Sequence, residues 1–226
     1  MIGVLRLRFW FIWLLVVLVV VGVACEEEPP ATAVPLVAVD SRVLLAEEFA
    51  VGSTGDWHTE ADDLGMTAVL NERMLIEVNA QNTIQYTTLR EQSFSNFVLE
   101  VEATQLAGSL ESSFGVLFRM QSPEQFYRFD ITGNGHYTIE RHNADGSWTR
   151  FVDDWPLSPA LKQGYNVSNL LRVYADGPTI AVYANGELLH EFSEVGYQEG
   201  SIALGGGTFG QAGLSVSFDN LVIQRP

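Results

Sequence analysis

From Ser41 to the C-terminus, apolar and polar positions alternate in short runs broken by Gly, Pro, Asn and Asp, the period-2 pattern of half-buried strands. The pattern is clearest in FGVLFRMQSPEQFYRFDITGNGHYTIER, Phe114 to Arg141. It predicts strands over Phe114–Met120, Phe126–Thr132 and His136–Arg141, joined by a Ser-Pro loop and a Gly-Asn-Gly turn. One apolar set is Phe114, Val116, Phe118 and Met120; the next is Tyr127, Phe129 and Ile131; the third is Tyr137 and Ile139. These sets must share a face, because a slip of one residue would turn a whole set into water. The resulting register places Phe118 opposite Phe129 and Phe129 opposite Ile139. The other face then carries Arg119 beside Arg128 and Arg128 beside Glu140, with Asp130, His136 and Thr138 on the same side.

The same reading gives further strands over Val43–Phe49, Thr67–Leu70, Met74–Asn79, Ile84–Leu89, Phe97–Leu106, Trp148–Phe151, Leu170–Ala175, Thr179–Ala184, Glu187–Phe192, Ser201–Gly205 and Leu214–Ile223. Gly52–Gly65 reads as a polar loop, and Asp153–Asn169 as the longest irregular segment, with room for one helical turn. Asn185-Gly186 is the strongest hairpin signal, since both turn positions of the favoured two-residue loop take positive φ. No long helical period and no clean repeat is present, so the fold class is all-β, a sandwich or barrel.

The first 40 residues break this pattern. Arg6 and Arg8 precede an unbroken apolar run from Phe9 to Ala24, the layout of an export signal. A 16-residue helix rises about 24 Å, short of the roughly 30 Å core of a bilayer, which favours a signal over a spanning anchor. The run ends in Val21-Gly22-Val23-Ala24-Cys25, and Cys25 is the only cysteine of the chain. This ending resembles the lipobox of bacterial lipoproteins, which implies lipidation of Cys25 and a membrane-attached, extracytoplasmic protein. Residues 25–40, with four acids and three prolines, read as an extended tether, leaving 41–226 as the folded domain.

Composition narrows the partners. The 226-residue chain has formal charge −16; without Arg6 and Arg8 it has 10 basic and 28 acidic residues. Nucleic acid needs a basic footprint, so it is excluded as the main partner. A single cysteine excludes an internal disulfide and a cysteine-rich zinc site, and the four histidines lack zinc-ligand spacing. Asp56, Glu60, Asp62 and Asp63 share one loop and make calcium a candidate ligand, with solvated acids as the alternative.

Three segments, SFGVLFR at 113–119, YRFDI at 127–131 and SVSFDNLVI at 215–223, resemble the concanavalin A-like jelly-roll superfamily. Within it they are most similar to the 3-keto-disaccharide hydrolase family, related in fold to laminin-G-like domains and family 16 glucanases. The resemblance spans about Leu44 to Ile223. It implies a jelly-roll sandwich of two antiparallel sheets, pairing of the first and last strands, and a ligand surface on the open concave face of one sheet. Arg119 matches the arginine that ends the Gly-Ile-Phe-x-Arg-like strand, and Tyr127 the tyrosine of the next. Arg128 and Asp130 stand where the family tends to have an acid and an amide.

The polar row is the candidate site. Arg119, Arg128, Asp130, His136 and Glu140 offer guanidinium forks and carboxylates to sugar hydroxyls, with Trp148 and Trp155 as stacking groups at the rim. The expected ligand is a glycan bound without chemistry. In the enzyme alternative, a glycoside-acting protein of the 3-keto-disaccharide hydrolase type, Asp130 or Glu140 is the catalytic acid/base. The third reading is a solvated sheet face on a structural surface module, with Arg128–Glu140 an ordinary cross-strand pair.

Overall fold

The computed structural model describes residues 41–50 and 57–226. Residues 39–226 form one compact unit. All the regular structure of the described residues is β: β1 (Val43–Glu47), β2 (Glu60–Ala61), β3 (Gly65–Leu70), β4 (Arg73–Val78), β5 (Ile84–Thr88), β6 (Phe97–Ala107), β7 (Ser113–Ser122), β8 (Gln125–Thr132), β9 (Tyr137–His142), β10 (Trp148–Arg150), β11 (Ser168–Asp176), β12 (Thr179–Ala184), β13 (Glu187–Ser193), β14 (Ser201–Gly207) and β15 (Leu214–Gln224). A nine-stranded sheet has the order β13-β12-β11-β6-β15-β4-β3-β2, with β1 on β15. A six-stranded sheet has the order β10-β9-β8-β7-β14-β5. All pairings are antiparallel, and the two sheets form a jelly-roll sandwich. As the resemblance implied, the first strand pairs with the last, Val43 opposite Gln224 and Glu47 opposite Leu221.

The alternation has the expected cause. Every second residue of β6 is buried, Phe97, Leu99, Val101 and Ala103, and these meet Phe129, Ile131 and Ile139 of the other sheet in one core. That core is drawn wholly from residues 49–223, inside the compact unit of residues 39–226. Asn185 and Gly186 take φ of 52° and 89°, the two-residue turn the sequence predicted. The 153–169 segment has no helical turn; it runs as bends, turns and one bridge, His136 to Leu157, until β11 begins at Ser168. The 52–65 loop includes the short strand β2 and a bridge from Trp57 to Leu89.

The central register differs from the sequence reading at one place. Phe129 does pair with Ile139, and Arg128 with Glu140. On the β7 side, however, Phe118 pairs with Tyr127, and Phe129 with Val116. A bulge lies just beyond Phe118, where Arg119 takes φ 48° and the pairing with β14 shifts between Ser201 and Ala203. An inserted residue breaks the two-residue period, so the side chains after it change faces. Phe118 still points into the core, stacked on Tyr127 at 5.4 Å. Met120 emerges on the outer face with Leu117, Phe126 and Ala203. Arg119 is fully buried. Its Nη2 donates to Ser95 O at 3.0 Å and Gly177 O at 2.9 Å, and its Nη1 to Tyr197 O at 3.3 Å. Gly177 is the turn between β11 and β12, so Arg119 ties one sheet to the other. Gly200 opposite the bulge has φ 149°, and a Cβ there would lie 2.4 Å from the Arg119 carbonyl carbon.

Candidate functional site

The outer face of the six-stranded sheet carries a charged floor built from β8, β9 and β10. Arg128 pairs with Glu140 across β8 and β9, and Glu140 with Arg150 across β9 and β10, so the three side chains form one row. Arg128 Nε and Nη2 donate to Glu140 Oε2 at 3.1 and 2.7 Å. Arg150 Nε lies 3.1 Å from Glu140 Oε1, and Arg128 Nη1 lies 3.6 Å from Asp130 Oδ2. Ser113 of β7 donates its hydroxyl to Asp130 Oδ2 at 2.9 Å. Arg128, Asp130 and Glu140 are all at least nine-tenths buried. Burial pushes the Asp130 carboxyl above its ordinary value of 3.8, against the opposing pull of Arg128 and Ser113.

Trp148 lies on this floor. The Arg128 guanidinium carbon is 4.5 Å from its ring centre, and His142 and Phe126 pack beside it at 4.5 and 5.8 Å. Trp148 stays 38% exposed, so one indole face is held by the protein and much of the ring meets solvent. Trp155, from the 153–167 segment, meets Phe209, from the loop after β14, edge to face at 5.8 Å. A cavity of about 310 Å³ opens between Trp148, Trp155 and Phe209 with Arg128, Glu140 and Arg150 at its base. A second, of about 320 Å³, lies past Trp155 and Phe209 and is lined by Glu111, Thr132, Asn134 and His136. A third, the largest at about 510 Å³, lies toward the β7–β8 hairpin between Tyr86, Met120 and Pro123, and shares Ile84 with the first.

Of the residues singled out in the sequence, Arg128, Asp130, Glu140 and Trp148 come together on one floor, and Trp155 stands at its rim. His136 lies in the neighbouring cavity, its Nδ1 3.0 Å from Asn134 Oδ1. Arg119 does not belong: the bulge turns it inward, where it holds three backbone carbonyls. Cys25 and Asp56 fall outside the described residues. Glu60 is held by Gln85, and Asp62 Oδ1 accepts from the backbone N–H of Leu64 and Gly65. Among the described residues, no three His, Cys, Asp or Glu side chains gather into a metal-binding group. Sequence reasoning missed Arg150, although its two-residue spacing from Trp148 already put both on one face. It also missed Phe209, which stands in a glycine-rich loop without periodicity.

Residues 52–224 match the family described as 3-keto-alpha-glucoside-1,2-lyase-like domain. No curated protein matches the chain. Among solved structures, the carbohydrate binding module CBM66 from Bacillus subtilis is similar with a TM-score of 0.59 at 15% identity, over 75% of this chain and 95% of that one. The catalytic domain of an endo-1,3-beta-glucanase (laminarinase) from Thermotoga petrophila gives a TM-score of 0.58 at 12% identity, over 80% and 96%. A Bacillus subtilis protein of unknown function with a galectin-like fold gives 0.60 at 9% identity, over 81% and 96%. At these identities the likeness is one of fold.

Proposed function

Since the chain belongs to the 3-keto-alpha-glucoside-1,2-lyase-like domain family, we propose that it binds glycans without chemistry on the outer face of the six-stranded sheet. The observation that carries this reading is Trp148, seated on Arg128 at 4.5 Å with much of its ring open above a 310 Å³ cavity. An indole fixed from below presents a flat apolar surface to the C–H face of a sugar ring, while the cavity's polar rim meets its hydroxyls. The fold it shares with a carbohydrate binding module supports the same reading.

The enzyme alternative draws on the family description and on Asp130, a carboxyl whose pKa burial raises beside a second carboxyl. The geometry favours binding. Glu140 is held by two guanidinium groups, and Asp130 lies beneath the floor, turned to Ser113 and Arg128, without lining the cavity. A group that gives or takes a proton must reach the reacting atom.

The test is a glycan array on residues 39–226 carrying neutral, anionic and keto sugars, run with and without calcium, with hits examined for product by mass spectrometry. Binding without product is expected, weakened at least tenfold by Trp148→Ala. Product from any hit replaces the binding reading with the enzyme, and silence across the array in both conditions removes both.

We also propose that the chain is exported and lipid-anchored through Cys25. Arg6 and Arg8, the apolar run Phe9–Ala24 and the lone cysteine after it support this. Mass spectrometry of the mature protein should find Cys25 at the N-terminus carrying a lipid; an intact N-terminus at Met1 would overturn it.

A further inference from the structure

The bulge at Arg119 has an effect on the outer face that the charged floor does not use. It turns Met120 out of the core and onto a sheet surface whose other half is ionic. There Met120 joins Leu117, Phe126 and Ala203, with Tyr86 packed against them, in an apolar cluster separate from the main core. Bulges that re-aim a side chain are concentrated beside functional sites. The device at this one is substantial: a buried arginine whose two terminal nitrogens donate to three carbonyls, and a glycine at position 200 whose backbone other residues rarely adopt.

The 510 Å³ cavity lies over this cluster, and several of its polar side chains are already engaged by the protein. Glu60 accepts from Gln85 Nε2 at 2.8 Å and lies 3.6 Å from His58 Nε2. Ser201 Oγ donates to Leu89 O at 3.0 Å, and Gln121 Nε2 donates to Glu199 O. Its apolar lining is made by the Tyr86 ring, the Met120 thioether, Ile84, Leu89 and Pro123. Sugar hydroxyls need unengaged donors and acceptors, whereas an apolar group gains from leaving water and from the soft thioether and ring around it. Ile84, 39% exposed, lines both this cavity and the one beneath Trp148, so the two are neighbours along one trough.

We propose that this cavity takes an apolar aglycone, so that the preferred ligand is a glycoside with its sugar at Trp148 and an aryl or alkyl group over Met120 and Tyr86. The proposal rests on the glycan reading above and adds a substrate class to it.

The experiment compares methyl and 4-methylumbelliferyl glycosides of every monosaccharide that binds in the array, using residues 39–226 labelled with ¹³C at the methionine methyl groups. The aryl glycoside should bind at least tenfold tighter than its methyl counterpart and should shift the Met120 methyl signal while leaving that of Met74, buried in the core, in place. Tyr86→Ser should remove most of the gain without weakening the methyl glycoside. Trp148→Ala should weaken both glycosides alike. Equal affinity for the pair, or a gain that survives Tyr86→Ser with an unmoved Met120 signal, overturns the aglycone site while the glycan reading stands. Silence toward every sugar of the array removes the glycan reading and the aglycone site with it.

Discussion

Asp130 illustrates how a single side chain can look catalytic and be positional. Its carboxyl is buried between Ser113 and Arg128, and burial raises its pKa above 3.8. Such a group binds more protons folded than unfolded between its two pKa values. Its contribution to stability is therefore fully present below 3.8 and lost as pH rises through the folded value. Asp130→Asn takes the titration away. The stability of the wild type relative to this variant should increase as pH falls from 7 toward 4, measured by urea unfolding at each pH. A difference constant with pH would show that Asp130 is as easily ionised in the fold as in the unfolded chain. The Arg128–Glu140 pair beside it was legible because cross-strand neighbours follow directly from register. Engagement of Glu140 by a second guanidinium, from Arg150, was not, because that strand is only three residues long.

At the scale of the element, β7 carries the main discrepancy between pattern and structure. Seven residues, Phe114 to Met120, read as one unbroken alternation, and every alternate residue up to Phe118 obeys it. A bulge adds a residue without adding any hydrophobic signal, so the pattern runs through it unmarked and assigns both Arg119 and Met120 to the wrong face. The arginine that looked like a sugar ligand is a clamp between the sheets. Arg119→Ala would leave three part-buried carbonyls without their donor, a loss of about 3 kcal/mol, since part-buried groups fall at the low end of the roughly 1–3 kcal/mol that each unsatisfied group costs. Arg119→Lys should recover only part of this, because an ammonium cannot reproduce the planar fork. Thermal and urea unfolding would decide the matter. A domain as stable as the wild type, with glycan affinity lost, would return Arg119 to the binding site.

For the whole molecule, the sequence carried most of the architecture. Strand positions emerged where burial alternates along the strand, as in β4, β5, β6 and β11, and the closure of β1 on β15 followed from the resemblance carried by three short segments. What lay beyond reach was the meeting of Trp155 with Phe209, 54 positions apart on two aperiodic loops, and the division of the outer face into cavities of unlike chemistry. The β1–β15 pairing also decides how the domain meets a mechanical load. The chain enters the sheet beside the point where it leaves, with Val43 opposite Gln224 and the N–H of Arg225 donating to Arg42 O. A pull on the N-terminal segment away from the sheet edge therefore meets Val43 first and opens β1 rung by rung toward Glu47, as a zipper opens. β15 is held independently by β6 and β4, so β1 can yield while the strands beneath Trp148 keep their pairing. The first strand is then a tear-strip: tension from the N-terminal side is spent there before it reaches the face that carries Trp148.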